Sequence, residues 1–169
     1  MKTKMLFFGL FISVFCVVGF GLLGYSLISA RRSIAAASWP RARGVITHCE
    51  LVSSTDGEGG TTEKVNVAYT YLIGTKSYSG SRLAFGYSGS SAKSGNAEMV
   101  SKLKSAKSIE VRYDPADPTN STLSYGIHRS IQFTLAFAIT WLLFVIGFTL
   151  LFWVSSRADT VLLRNLIIH

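Results

Sequence analysis

Two apolar runs bracket the chain. Met5 to Ile28 holds no charged residue, and neither does Ile131 to Val154. A helix needs about 20 apolar residues to cross the hydrocarbon core of a bilayer, so each run can span one with some tilt. The pattern between them is different. Gly44 to Val52 is rich in β-branched residues and predicts a strand. Ser53 to Thr62 is a run of small and polar residues and predicts an exposed loop. Lys64 to Ile73 then alternates: Val65, Val67, Tyr69 and Tyr71 face one side, and Lys64, Asn66, Ala68 and Thr70 the other. Strict alternation means a strand with one face on a core and one in water. Gly74-Thr75 predicts a tight turn, with Lys76 to Phe85 returning as the partner strand. Gly86 to Ser91 reads as a loop. Asn96 is placed to cap a short helix running to Ser105, with Met99, Val100 and Leu103 as its apolar edge. Ser108 to Tyr113 alternates again, and Ser121 to Tyr125 predicts one last short strand. The expected fold class is a membrane protein of α+β type, with two transmembrane helices flanking a small antiparallel β-rich domain with one short helix. The expected divisions are residues 5–29 (first span), 38–127 (extramembrane domain), 131–154 (second span) and 155–169. This last stretch is a short tail whose apolar groups, Val161 to Leu163 and Leu166 to Ile168, suit an interfacial helix.

The span ends carry their own markers. Arg31 and Arg32 follow the first run and can snorkel into the interface. Trp39 suits the headgroup level, and Pro40 stops a continuing helix. The basic start Met1 to Lys4 is also how a secretory signal begins. The run is longer than a signal's apolar region, however, and Arg31-Arg32 lies before Ala35 to Ala37, so an uncleaved anchor is expected. Ser13, Cys16, Gly19, Gly21 and Gly24 supply small surfaces, and Gly9 and Ser13 form a small-xxx-small pair, so the two spans could pack closely. Against that stands the general abundance of glycine in membrane helices.

Charge refines the picture only a little. The net charge is +8, and the middle from Ser29 to Ser130 has 13 Lys and Arg against 8 Asp and Glu. Beside a bilayer such an excess serves topology and attraction to anionic lipid. Nucleic-acid binding would want a basic stripe on a recognisable module, and no nucleic-acid partner is expected. Arg31, Arg32, Arg41, Arg43 and Arg129 nearly balance Lys2, Lys4, Arg157 and Arg164 in the orientation count. The signal-like start tips the expectation toward a multi-pass inner-membrane protein with cytoplasmic termini and an extracytoplasmic domain. Cys16 lies inside the first run and Cys49 in the polar middle, so no disulfide framework is expected.

Several residues of the middle carry a resemblance. They are Trp39, Gly44-Val45-Ile46, Tyr69-Thr70-Tyr71, Gly74, Tyr78, Gly80, Val111 to Pro118, Leu123 and Gly126. Together this stretch resembles a mostly bacterial family of membrane proteins known as domain of unknown function thirty-five ninety-two. The run Tyr113-Asp114-Pro115-Ala116-Asp117-Pro118 is its most specific part. Ala106-Lys107-Ser108 departs from the family's usual glycine before the strand. The resemblance implies two spans and a small β-rich domain, and no activity.

The chemistry must therefore be weighed residue by residue. Asp114 and Asp117 could bind a metal, but calcium wants more oxygen ligands. Asp114, Pro115, Asp117 and Pro118 are read as a structural turn. Ser90 and Lys93, and Ser101 and Lys104, each fit Ser-x-x-Lys, which a desolvated lysine could activate. The supporting elements of that chemistry are missing. Gly86 to Ser90 lacks the last glycine of a nucleophile elbow, and His48, His128 and His169 are scattered. No catalytic residue, cofactor or metal is expected. The leading expectation is a non-catalytic membrane protein whose domain binds another membrane or envelope protein or supports a membrane complex, an immunity-type protein being one sub-case. Tyr87 and an open sheet edge would be its contact points. A Ser/Lys hydrolase and a homo-oligomeric pore stand as alternatives, although the spans carry no ionisable residue of the kind transport usually needs.

Overall fold

A computed structural model describes residues 2–55, 61–89, 93–157 and 164–165. The expected tail helix groups Val161 to Leu163 and Leu166 to Ile168 lie outside the described residues, as do Ser90 and Ser91. The chain divides into two compact units, Met1–Gly24 with Ala136–His169, and Tyr25–Leu135.

The first unit pairs parts of two helices, α1 (Lys2–Ala35) and the helix Arg129–Ser155. Both are long and apolar enough to cross a membrane. Their outward surfaces are apolar: Leu6, Phe7, Val17, Leu143 and Leu151 are all exposed. Such a surface is unfavourable in water and natural in lipid. The helices meet through aromatic rings. Phe8 stacks on Phe152 with centroids 3.6 Å apart, and Phe15 lies parallel to Trp141 at 5.4 Å. The Trp141 indole N–H also donates to the Phe15 carbonyl at 3.0 Å. The close approach is at Gly19, where a Cβ would lie 2.5 Å from Leu142 Cδ2. Gly9 and Ser13 do not make this contact. Gly9 has nothing within 4 Å of a would-be Cβ, and the exposed Ser13 hydroxyl turns back to the Leu10 carbonyl at 2.7 Å. Spacing alone did not reveal which face of α1 the second helix would occupy.

The second unit is built on a five-stranded antiparallel sheet, in the order β3-β2-β1-β4-β5. Its strands are β1 (Arg41–Thr55), β2 (Thr61–Ile73), β3 (Lys76–Gly80), β4 (Ile109–Tyr113) and β5 (Ser121–Thr122). The short helix α2 (Lys93–Ser105) lies between β3 and β4, and the long apolar helix Arg129–Ser155 is therefore α3. The alternation in β2 works as its pattern demands: Val65, Val67, Tyr69 and Tyr71 are buried. They form the core with Ala42, Cys49, Leu83 and Val111, against which Met99, Val100 and Leu103 of α2 pack. Gly74, at φ +60, opens the two-residue turn joining Ile73 to Lys76. Positive φ at the first turn residue is what a type II′ hairpin requires.

Three boundaries differ from expectation. The β1–β2 pairing runs out to Thr55 and Thr61, so much of the expected loop flanks is strand. A register shift between Ile46 and His48 keeps Ala42, Ile46, Cys49 and Leu51 all facing inward along so long a strand. β3 stops at Gly80, well short of Phe85. Asn96 does not cap α2. The helix begins one turn earlier, and buried Asn96 donates its amide to the Glu63 carbonyl at 3.2 Å. Beyond Arg31 and Arg32, α1 continues to Ala35 and into a 3-10 turn, Ala36–Ser38, which ends before Pro40.

Candidate functional site

The Asp-Pro run folds as two linked side-chain turns. Asp114 Oδ1 accepts from the Ala116 amide at 2.9 Å. Asp117 Oδ1 accepts from the Thr119 amide at 3.1 Å and its hydroxyl at 2.6 Å. Backbone bonds from Asp114 N to Asn120 O and from Asn120 N to Asp117 O, both 2.9 Å, close the loop. Aspartate before proline favours this geometry. The Tyr71 hydroxyl donates to the Pro118 carbonyl and ties the loop to the core. Each carboxylate uses only Oδ1 in these bonds. The second oxygen has no hydrogen bond among the described residues.

Asp114 and Asp117 border a cleft of about 570 Å³, which Arg32, Ala35, Trp39, Arg82, Thr119 and Asn120 also line. Arg32 is exposed on the last turns of α1 and has no ion pair or hydrogen bond among the described residues. Arg82 follows β3. Its guanidinium lies 4.4 Å over the Phe85 ring, and its Nη1 donates to Asn120 Oδ1 and, at 3.4 Å, to the Ser121 carbonyl. Trp39 stands edge-on to the same Phe85 ring, with centroids 5.7 Å apart. The cleft thus combines two guanidiniums, two half-used carboxylates and an indole. Both carboxylates and Trp39 were legible in the sequence; Arg82 was not, because nothing local marks a residue that reaches the Asp-Pro loop from 38 positions away.

This cleft lies at the edge of the stretch that can be compared with known proteins. Residues 42–128 match the family described as Domain of unknown function (DUF3592). The chain belongs to that family. No curated protein and no solved structure matches it. The DUF3592 stretch holds all but the first residue of the sheet, the whole of α2 and the last connection before α3. It includes Arg82, Asp114 and Asp117, while Arg32, Ala35 and Trp39 are contributed from outside it.

How the DUF3592 sheet grips the end of α1 was invisible in the sequence. Arg112 is only 6% exposed, although its neighbours on β4 alternate as expected. Its Nη1 donates to the carbonyls of Ala37 and, at 3.2 Å, Trp39. Its guanidinium lies 4.2 Å over the Tyr125 ring. A helix end leaves its last carbonyls without partners, and here β4 supplies a charged donor. Nearby, Ser33 Oγ donates to the Gly126 carbonyl at 2.7 Å, and the Gly126 amide returns a bond to the Ser33 carbonyl at 3.1 Å. Gly86, at φ +70, brings the post-β3 loop so close that a Cβ would lie 2.9 Å from Ser29 Cβ and 3.1 Å from Ile131. Ser26, Ser29 and Ser33 are all buried. Their helical spacing was the available signal for this contact face.

The other expected residues fall as follows. Tyr87 does not present itself outward. Its ring packs against the core, and its hydroxyl accepts from the Val65 amide at 3.1 Å. Together with Asn96 on the Glu63 carbonyl, it occupies the part of the β2 edge that β3 leaves open. Such contacts blunt an exposed edge, and Tyr87 itself is half-buried. Arg31 is exposed on α1. Ser101 and Lys104 are exposed on α2 without the apolar enclosure that would activate such a pair, and Ser90 of the other pair lies outside the described residues. His48 and Cys49 point to opposite faces, exposed and buried. Burial pushes the Cys49 thiol pKa up. Among the described residues, no three His, Cys, Asp or Glu side chains converge on one point.

Proposed function

We propose that this protein is a multi-pass inner-membrane protein, anchored by α1 and α3, whose DUF3592 domain binds another membrane or envelope protein and is not itself a catalyst. Both termini are cytoplasmic and the domain is extracytoplasmic in this reading. The supporting observation is the open face of the sheet. Its inner face is filled by the core and α2. On its outer face Val45 and Leu72 are 54% and 60% exposed. Val45 pairs with Thr70, and the next pair, Gly44 with Tyr71, sets Arg43 beside Leu72. Arg41 and Arg43 flank this apolar centre, Arg41 in an exposed pair with Glu110 at 3.3 Å. An apolar centre with an arginine rim is the composition of an interaction surface.

The test is site-specific photocrosslinking in cells. A photoreactive residue at Leu72 or Val45 is expected to give one discrete adduct of higher mass, absent when the residue is placed at Glu98 on the exposed side of α2. Identical background from all three positions refutes the proposed surface. Anchoring is tested separately by alkaline carbonate extraction, which should leave the chain in the membrane pellet.

A further inference from the structure

We propose that the cleft between the end of α1 and the Asp-Pro loop binds a phosphoethanolamine group, supplied by the head group of an aminophospholipid. The argument starts from charge. Two guanidiniums, Arg32 and Arg82, face one volume together with two carboxylates, Asp114 and Asp117. A purely anionic ligand would meet both carboxylates, and a purely cationic one both guanidiniums. A zwitterion with a phosphate at one end and a primary ammonium at the other satisfies both sets.

The hydrogen-bonding capacity agrees. Arg32 has no partner among the described residues. Among the described residues Arg82 uses only Nη1 in hydrogen bonds, which leaves Nε and Nη2 for phosphate oxygens. Asp114 and Asp117 each keep one oxygen for an ammonium N–H. The cleft of about 570 Å³ falls in the range of small-molecule sites. Its indole, Trp39, is the side chain that favours the headgroup level of a bilayer.

The lipid source follows from the position of Arg32. It stands four residues past Ile28, where the apolar run ends, or about 6 Å along the helix. That is where lipid phosphates lie if α1 spans. This step rests on the membrane-anchor reading, whereas the phosphoethanolamine chemistry does not.

The experiment uses the full chain purified in mild detergent. Phosphatidylethanolamine, phosphatidylcholine and phosphatidylglycerol with the same acyl chains are added in equal amounts, and the lipid retained is counted by native mass spectrometry. Phosphatidylethanolamine is expected to dominate. Phosphatidylcholine has no N–H to donate, and phosphatidylglycerol has no cation. Arg32→Gln and Arg82→Gln should each lower its retention about fivefold, as the loss of one solvent-accessible charged contact implies. Lys107→Gln, in the exposed turn between α2 and β4, should leave it unchanged. Arg32 makes no hydrogen bond or ion pair among the described residues, so its loss reads binding alone. A parallel arm titrates soluble phosphoethanolamine while following the Trp39 indole N–H by NMR.

Equal retention of the three lipids, or phosphatidylglycerol at or above phosphatidylethanolamine, together with no response to soluble phosphoethanolamine, overturns the proposal. Binding of soluble phosphoethanolamine without lipid selection upholds the zwitterion site and overturns its lipid source. A chain that leaves the membrane in carbonate yet still binds phosphoethanolamine keeps this site while losing its anchor.

Discussion

Arg112 offers the sharpest test of how the sheet holds the end of α1. Its side chain is buried, and one nitrogen serves two backbone carbonyls at the 3-10 turn, Ala37 and Trp39. Replacing it with Met keeps most of the volume and removes the donor. Ala37 is exposed and Trp39 half-buried, so each lost bond from this charged donor costs about 1.5 kcal/mol. The stacking on Tyr125 adds about 0.5–2 kcal/mol at a site of this kind. Working against these losses, the buried guanidinium is itself costly, and its Nε has no hydrogen-bond partner among the described residues. The net expectation for Arg112→Met is a loss of about 3 kcal/mol. Arg112→Lys keeps the charge but not the planar fork, and should lose about half as much. Hydrogen exchange on the full chain in detergent reads this locally. The reporters are the amides of Trp39, Tyr113 and Gly126, which bond to Ala36, Pro40 and Ser33 respectively. A loss of about 3 kcal/mol accelerates their exchange on the order of 100-fold where opening governs it. Amides within α3 should not change. If Arg112→Met speeds these amides less than about fivefold, or if Lys and Met behave alike, the guanidinium is not the latch described here.

Three further outcomes are expected. Gly86→Ala should lower the thermal midpoint by about 8 °C or more, since a left-handed backbone costs 1–2 kcal/mol and the new Cβ overlaps Ser29; an unchanged midpoint would show that the loop can move aside. Tyr69→Phe removes a buried hydroxyl bonded to the Arg82 carbonyl and to Ser121 Oγ, both at 3.1 Å, and should cost about 1–3 kcal/mol in urea unfolding. Burial raises the Tyr69 and Tyr71 phenol pKa values above 10.0. The folded state therefore binds more protons than the unfolded chain above that pH; stability holds below pH 10 and falls as pH rises through the folded values, with a shallower fall in Tyr69→Phe. Cys49, buried and with its thiol pKa raised, should react with a membrane-impermeant maleimide at least tenfold more slowly in the folded protein than after unfolding in urea. Equal rates would place the thiol at the surface.

Much of the fold was legible because it depends on local regularities. The alternation of Val65, Val67, Tyr69 and Tyr71 defined a buried strand face, since side chains alternate along a strand whatever its neighbours. Gly74 marked its turn through the φ that turn needs. The Asp-Pro run marked its loop because each aspartate bonds to its own backbone two residues on. Tyr87 and Asn96 show where that logic stops. Both looked like surface or cap residues, yet both cover the stretch of β2 edge that β3 leaves unpaired. Where β3 would end was not written in its own residues.

The same division holds for the molecule. The sequence by itself determined two uncharged apolar runs long enough to cross a bilayer, a one-sided antiparallel sheet between them, and the family to which that middle belongs. These follow from chain length, hydropathy and period, which need no partner in space. Only the tertiary structure decided that Gly19 and not Gly9 faces the second helix, that Arg112 is buried at the end of α1, and that Arg32 and Arg82 share a cleft with Asp114 and Asp117. Each of those depends on residues far apart in the chain being brought into register, and a local pattern carries no information about what will stand opposite it.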